Sequence, residues 1–396
     1  MVGDLALADG GELGLLEDPH GPAKLAEVQF LQTQVGLPWD RVDDETPPDP
    51  PGQVERVLLA SPRGFCAGVE MAIKALAWMV RVFEPPVYCY HEIVHNRLVV
   101  DRFRNLGVVF VDSIDEVPDG SPLMLSAHGS SPEVVAAARA NGGFVIDAVC
   151  PLVTKVHHEV KVRAGKGYSI LYVGHEGHDE AVGTMAVAPE AVHLVESEAD
   201  VRALDDLDGP VALLAQTTLS HQDWAGVLEV AKERFPQVWV PGRSDLCFAT
   251  TNRQSALTEI ATRADTIVVI GSANSSNTVA LEKVARAVGC PRVHRVNAAS
   301  ELPDDLSGVV GVTAGASAPD ELVRAVVDAL APTHGVELVS VTEEDEYFPP
   351  PRELRDLLGA LDGIVSLALG AAPPAASPFA QDRRVAASDV LDTLAG

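Results

Sequence analysis

The sequence predicts an α/β protein of parallel sheets, folded as three similar α/β lobes that close on a common centre. Two observations predict the class. From Val57 onward short β-rich runs alternate with amphipathic helical stretches, and several of those runs end in loops rich in hydroxyl, amide and imidazole groups. A third predicts the arrangement: Cys66, Cys150 and Cys247 each stand where a hydrophobic β-run hands over to a helical pattern. They lie 84 and 97 residues apart, so each could come from one lobe.

Taken in order, the helical stretches carry their apolar residues on one face. Val69, Ile73, Leu76 and Val80 do so after Cys66, Val153, Val156 and Val160 after Cys150, and Leu257, Ile260, Ala261 and Ala264 after Cys247. The runs 123–125, 170–173, 211–215, 267–270 and 309–312 read as strands. Each leads into a polar loop, and in open α/β sheets ligands bind beyond the carboxyl ends of the strands. Loops and cysteines are therefore expected to face one cavity.

The predicted boundaries are 55–150, 151–247 and 248–340 for the three lobes, with an acidic, Pro-rich flexible extension at 1–54 and a C-terminal segment and tail at 341–396. A short helix is possible near Leu25–Leu31, and the Ala/Pro run near 370–378 is expected to be mobile. The net charge is −28. Residues 1–54 hold 11 acidic and 2 basic side chains, and residues 341–396 hold 10 and 4. Such acidity disfavours nucleic-acid binding, which needs Lys and Arg against phosphates. No apolar stretch approaches a membrane span, and the start lacks a basic region followed by an apolar run. Five cysteines in 396 residues form no short disulfide framework. The expectation is a cytoplasmic protein without membrane or nucleic-acid partners.

A lone cysteine is ordinarily a small buried hydrophobe. Cys89, inside Val87-Tyr88-Cys89-Tyr90, and Cys290, in Gly289-Cys290-Pro291, are read that way. Three cysteines in the same context point elsewhere, because a helix N-terminus favours the thiolate and lowers its pKa. Three thiolates without a fourth suggest an iron–sulfur cluster with one iron left open.

The loops Gly271-Ser272-Ala273-Asn274-Ser275-Ser276-Asn277 and Ala314-Gly315-Ala316-Ser317 offer hydroxyls, amides and helix-start N–H groups, which suit phosphate oxygens or simply cap helices. His95 and His128 could add donors. The cluster His175-Glu176-Gly177-His178-Asp179-Glu180 lacks the spacing of a helical zinc-protease motif, and its glycine argues for a loop. Glu180 is the candidate for delivering a proton, with Glu176 and Asp179 solvated.

These residues also carry a family resemblance. Pro62-Arg63-Gly64-Phe65-Cys66-Ala67-Gly68-Val69, His91-Glu92-Ile93-Val94-His95-Asn96, Ser126-Ala127-His128-Gly129 and Cys150-Pro151-Leu152-Val153-Thr154-Lys155 occur in order. Gly177-His178-Asp179-Glu180, Gln216-Thr217-Thr218, Ala249-Thr250-Thr251-Asn252-Arg253-Gln254 and Thr313-Ala314-Gly315-Ala316-Ser317 follow. From about Val57 to Leu330, with a weaker match around Pro351-Arg352-Glu353-Leu354, the chain resembles the 4-hydroxy-3-methylbut-2-enyl diphosphate reductases, the last enzymes of the methylerythritol phosphate route to isoprenoids.

The resemblance implies a pseudo-threefold arrangement of lobes around one four-iron four-sulfur cluster held by Cys66, Cys150 and Cys247. It implies that His95, His128, Ser275, Asn277 and Ser317 hold the substrate diphosphate, with Ser276 close by. Glu180 and Thr217 would form the proton-delivery network, and His178 would line the same pocket. The implied reaction is reductive dehydroxylation to isopentenyl and dimethylallyl diphosphates, with the substrate hydroxyl at the open iron and electrons from a ferredoxin or flavodoxin. Two rivals remain: a quinolinate synthase-like three-cysteine enzyme, disfavoured by the 249–254 and 313–319 motifs, and a nonenzymatic iron–sulfur sensor. A sensor would bring a basic surface or a partner domain, and the sequence shows neither.

Overall fold

The computed structural model describes residues 53–370, 379 and 381–395. The N-terminal extension, with the helix expected near Leu25–Leu31, and the run 371–378 lie outside the described residues.

Twelve strands form three separate parallel sheets among the described residues. The first strand, β1 (Val54–Ser61), is followed by β2 (Val87–Tyr90), β3 (Val108–Val111), β4 (Leu123–Leu125) and β5 (Val145–Asp147). Next come β6 (Ser169–Val173), β7 (Val192–Val195) and β8 (Val211–Ala215), then β9 (Thr266–Ile270), β10 (Arg292–Val296), β11 (Gly308–Ala314) and β12 (Val336–Ser340). One sheet has the order β3-β2-β4-β5, a second β7-β6-β8, and the third β10-β9-β11-β1-β12. The first two sheets fall within 55–150 and 151–247.

The third sheet corrects the expected boundaries. Strand β1 does not start the first lobe but lies inside the last, with Leu58 opposite Gly311 on one side and Glu337 on the other. The reason is visible in its side chains. Val57 and Leu59 point into one core with Val310 and Val312, whereas Leu58 and Ala60 point into another with Leu257 and Ile260. A run apolar on both faces belongs in the middle of a sheet covered on both sides. That pattern gives burial but not the identity of the neighbouring strands.

Helices cover these sheets. Helix α1 (Ala67–Val82) follows β1, and α2 (Arg97–Asn105) and α3 (Pro132–Ala140) belong with the first sheet. Helices α4 (Pro151–Ala164), α5 (Asp179–Met185), α6 (Glu198–Ala203) and α7 (His221–Arg234) accompany the second. Helices α8 (Phe248–Ala261), α9 (Ser276–Val288) and α10 (Asp320–Leu330) accompany the third.

The C-terminal segment is built into the core. Helices α11 (Arg352–Ala368) and α12 (Ala387–Ala395) place Leu354, Leu358, Ala387 and Leu391 in one cluster with Ile73, Leu76 and Met79 of α1. Helix α1 is consequently buried well beyond the stripe expected from Ile73 and Leu76, with Met71, Ala72 and Ala75 also enclosed. Its Lys74 is buried and lies 3.5 Å from Glu70 and 3.6 Å from Asp382. Burying a lysine requires such partners. No helix among the described residues is long and apolar enough to cross a membrane.

Candidate active site

The three sheets open onto one cleft of about 770 Å³, part of it facing solvent. Cys66, Cys150 and Cys247 are the N-cap residues of α1, α4 and α8, and all three line it. Only Cys66 and Cys150 follow the end of a strand closely. The β-run expected before Cys247 is a single bridge between Trp239 and Ala212, after which residues 241–247 run as a loop. All five cysteines are free; Cys89 and Cys290 are buried in the hydrophobic cores, away from the cleft.

Two of the sulfurs, those of Cys66 and Cys150, lie beside Gly68. A Cβ at that position would stand 2.8 Å from Cys150 Sγ and 3.9 Å from Cys66 Sγ, so the glycine leaves the space between these two sulfurs clear. The Cys247 sulfur accepts from the Thr250 N–H at 3.2 Å and lies 3.0 Å from the Thr250 hydroxyl.

The thiol pKa values run opposite to the expectation of lowered values. Burial pushes Cys150 up to about 12 and Cys247 up to about 11, and raises Cys66 as well. Helix-start N–H groups do pull all three down, through Gly68 and Val69, Leu152 and Val153, and Thr250, but the loss of water outweighs them. Three mutually close thiols of this kind lose their protons when a metal centre supplies positive charge. The donor set fits an iron–sulfur group.

A second part of the cleft is lined by imidazoles. His95 stacks on His128 with ring centres 3.9 Å apart, and His178 stands edge-on to both at 5.3 and 6.0 Å. His128 is half-buried, and its Nε2, out of reach of solvent, has no partner. Burial, with His95 next to it, holds His128 well below the usual imidazole range and brings His178 down to about 4. His178 Nδ1 accepts from the Glu180 N–H at 3.1 Å, which leaves Nε2 as the donor of the neutral ring.

Asp179 is engaged, contrary to the expectation of a solvated carboxylate. Its Oδ1 lies 2.8 Å from Nδ1 of His91 and its Oδ2 3.9 Å from Nε2 of His95. Burial raises its pKa, but the His91 bond and the surrounding imidazoles outweigh that and leave it at about 2. His95, His128 and Asp179 bring ligand atoms within 4.8 Å of one another, a set that could also hold a metal ion. Glu176 is exposed.

Glu180, in the first turn of α5, is only 3% exposed. Its carboxylate accepts from the Thr217 N–H at 2.7 Å and the Thr217 hydroxyl at 3.0 Å. Burial raises it to about 7 despite both bonds.

The hydroxyl and amide loops complete the lining. Ser275 caps α9 by accepting from the Thr278 N–H, and its hydroxyl lies 3.5 Å from that of Ser317, which donates to the His95 carbonyl at 3.0 Å. Ser276 accepts from the Thr218 hydroxyl at 3.0 Å. Asn277 is tied on both sides, accepting from the Ala316 N–H at 2.9 Å and donating to Thr250 at 3.3 Å. Through Thr250 the loop that opens α9 is thus connected to the Cys247 sulfur. All twelve residues singled out from the sequence line this one cleft.

Other groups that shape it carried weaker signals. Phe348 lines the cleft from the C-terminal segment, and its ring meets that of Phe248 at 6.4 Å. Buried Gln216 accepts from the His175 N–H at 2.9 Å and donates to Thr218 at 3.1 Å. Thr250 and Gln216 stand inside quoted motifs, whereas nothing local marks Phe348.

A sequence model of the LytB protein family matches residues 57–331. The chain is 49% identical over 306 residues to the 4-hydroxy-3-methylbut-2-enyl diphosphate reductase of Rhodopirellula baltica, covering 76% of this chain and 96% of that one. It is 48% identical over 305 residues to the enzyme of the same name from Phenylobacterium zucineum, covering 75% and 97%. Among solved structures it is similar to the E-1-hydroxy-2-methyl-but-2-enyl-4-diphosphate reductase of Plasmodium falciparum, with a TM-score of 0.74 and 32% identity over 78% of this chain and 99% of that one.

Proposed function

The chain belongs to the LytB protein family, and from that premise we propose that it is a 4-hydroxy-3-methylbut-2-enyl diphosphate reductase. It acts on a small-molecule allylic diphosphate and yields isopentenyl and dimethylallyl diphosphates. Two electrons and two protons balance the step: the C–O bond to the hydroxyl breaks, a C–H bond forms, and water leaves. One observation carries the reading, namely that three free thiols, three clustered imidazoles and the Glu180–Thr217 pair line one cleft.

Cys66, Cys150 and Cys247 hold one four-iron four-sulfur cluster. The space that Gly68 leaves between two of the sulfurs supports this. When bound, such a cluster supplies electrons and, at the iron without a cysteine ligand, a Lewis acid for the substrate hydroxyl.

His95, His128, Ser275, Asn277 and Ser317 hold the diphosphate, with Ser276 beside them. Support comes from the unpartnered His128 Nε2 and from the start of α9, where backbone N–H groups and the helix dipole favour an anion. His178 lines the pocket with its remaining N–H.

Glu180 holds the proton that leaves with the hydroxyl. A carboxyl at about 7 is partly protonated at neutral pH and can donate, as general acid catalysis requires. Thr217 orients it through two hydrogen bonds. A one-electron carrier, a ferredoxin or flavodoxin, supplies the electrons.

The test is an anaerobic assay of cluster-loaded protein with the hydroxylated diphosphate and a one-electron reductant. Formation of the two isomeric diphosphates is expected; a loaded protein that consumes no substrate would rule the reading out.

A further inference from the structure

Arg253, on α8 six residues after Cys247, is fully buried, and its N–H groups are distributed over three parts of the chain. Nε donates to the Gly64 carbonyl at 3.0 Å, and Nη2 to the Gly64 and Phe65 carbonyls at 2.8 and 3.2 Å. Nη1 donates to the Ala249 carbonyl at 2.9 Å and to both carboxylate oxygens of Glu344 at 2.9 Å. Glu344 belongs to segment 341–351, neither helix nor strand, between β12 and α11. That segment is also fixed by Tyr347, whose hydroxyl donates to Asp382 at 3.0 Å, and it brings Phe348 to the cleft.

The Gly64–Phe65 peptide directly precedes Cys66. Gly64 has φ +66, a conformation that favours glycine, and a Cβ there would stand 3.1 Å from the Ala318 carbonyl. The Cys66 N–H donates to the Ala316 carbonyl at 3.1 Å. The cysteine is therefore held on one side by the loop after β11 and on the other by a guanidinium whose counter-charge comes from the C-terminal segment.

We propose that Arg253 and Glu344 are positioning residues for the thiolate centre: Arg253 fixes the peptide that aims Cys66 and presents a buried positive charge to the sulfurs, and Glu344 sets how much of that charge they feel. A lysine could not replace the fork, because a single ammonium cannot hold two successive carbonyls and a carboxylate in one plane. The inference rests on reading Cys66 as a cluster ligand. It gives the C-terminal segment a part in the redox properties of a centre whose ligands all come from elsewhere in the chain.

The test compares reconstituted parent, Arg253→Gln, Glu344→Gln and Cys66→Ser for iron per chain, iron loss to a ferrous chelator and cluster midpoint potential. Groups that orient metal ligands are typically worth about 10–100-fold in metal affinity. Arg253→Gln should accordingly release iron at least tenfold faster and lower the midpoint potential. Glu344→Gln should keep its iron and raise the potential, since the guanidinium loses its counter-charge.

Shifts of opposite sign are not expected from general loosening. Shifts of the same sign, or parental potentials in both variants, would overturn the proposal. Should Arg253→Gln not fold, judged by far-UV circular dichroism, the upward shift in Glu344→Gln decides alone. Cys66→Ser separates the premise from the inference: full iron in that variant sinks the cluster assignment, whereas lost iron there with unshifted Arg253 and Glu344 variants sinks only the positioning role.

Discussion

The thiol-lined and imidazole-lined parts of the cleft carry the same burial penalty with opposite consequences. In one, burial pushes Cys150 up to about 12 and Cys247 up to about 11. In the other it brings His178 down to about 4 and holds His128 low. Cys150, Cys247, His128 and His178 are thus neutral at pH 7, but a thiol becomes charged by releasing its proton when a cation binds, and an imidazole by gaining one beside an anion. Loss of water raises acids and lowers bases, so one cleft with buried walls can favour a metal cluster at one wall and a diphosphate at another. Glu180, raised to about 7, stands with the imidazoles but shifts as the thiols do.

The largest effect should come from the thiols. Cys66→Ser, Cys150→Ser and Cys247→Ser are expected to lose most of their iron and visible absorption after reconstitution, while Cys89→Ser and Cys290→Ser keep both. A full cluster in any of the first three, measured as iron per chain, would break the contrast between cleft and core cysteines.

Next is Glu180→Gln, which keeps the shape and an oxygen for the Thr217 N–H but cannot release a proton. Turnover should fall by about 10²–10⁴, the usual worth of a positioned acid, with cluster content unchanged. Parental turnover at saturating reductant would remove Glu180 from the proton path.

The smallest effect sharpens the comparison through pH, read as thermal unfolding of the metal-free chain. The folded pKa of Glu180 is above its unfolded value of about 4.5. The folded state therefore binds the extra proton, and the Glu180 contribution to stability falls as pH rises from about 4.5 to about 7. His178 has the opposite sign: its folded value of about 4 lies below about 6.5, so its contribution rises with pH across that window. Relative to the parent, Glu180→Gln should gain stability as pH rises through the first window. His178→Asn should show its gain at acid pH and lose it by about pH 6.5. Each difference is on the order of a few kcal/mol at most; parallel curves would mean that burial does not govern these groups.

Much of this was legible in the sequence because it is local. The three helix-start cysteines, the polar loops and the apolar faces of α4 and α8 are written in short stretches. What was not legible depends on distant parts of the chain. Thiol pKa values were expected to fall because a helix start is visible in sequence, whereas the burial that outweighs it is made by other lobes. Asp179 was read as solvated because its partner His91 lies 88 residues away. The C-terminal segment showed only a weak match around 351–354, which gave no hint that Leu391 is a core residue or that Glu344 meets Arg253. Alternation within β1 showed that it is buried on both faces but not between which strands.

The placement of β1 also bears on the order of events at the ribosome. Its sheet neighbours are β11 and β12, residues 308–314 and 336–340, so the first of the described strands has neither partner until most of the chain has been made. Contacts of such long range form late and slowly. Cys66 follows that strand by five residues, and its loop is held by Ala316 and Glu344-paired Arg253. The loop that carries Cys66 is thus unfinished while the protein is being translated, and a metal centre held there would have to be installed in a nearly full-length chain.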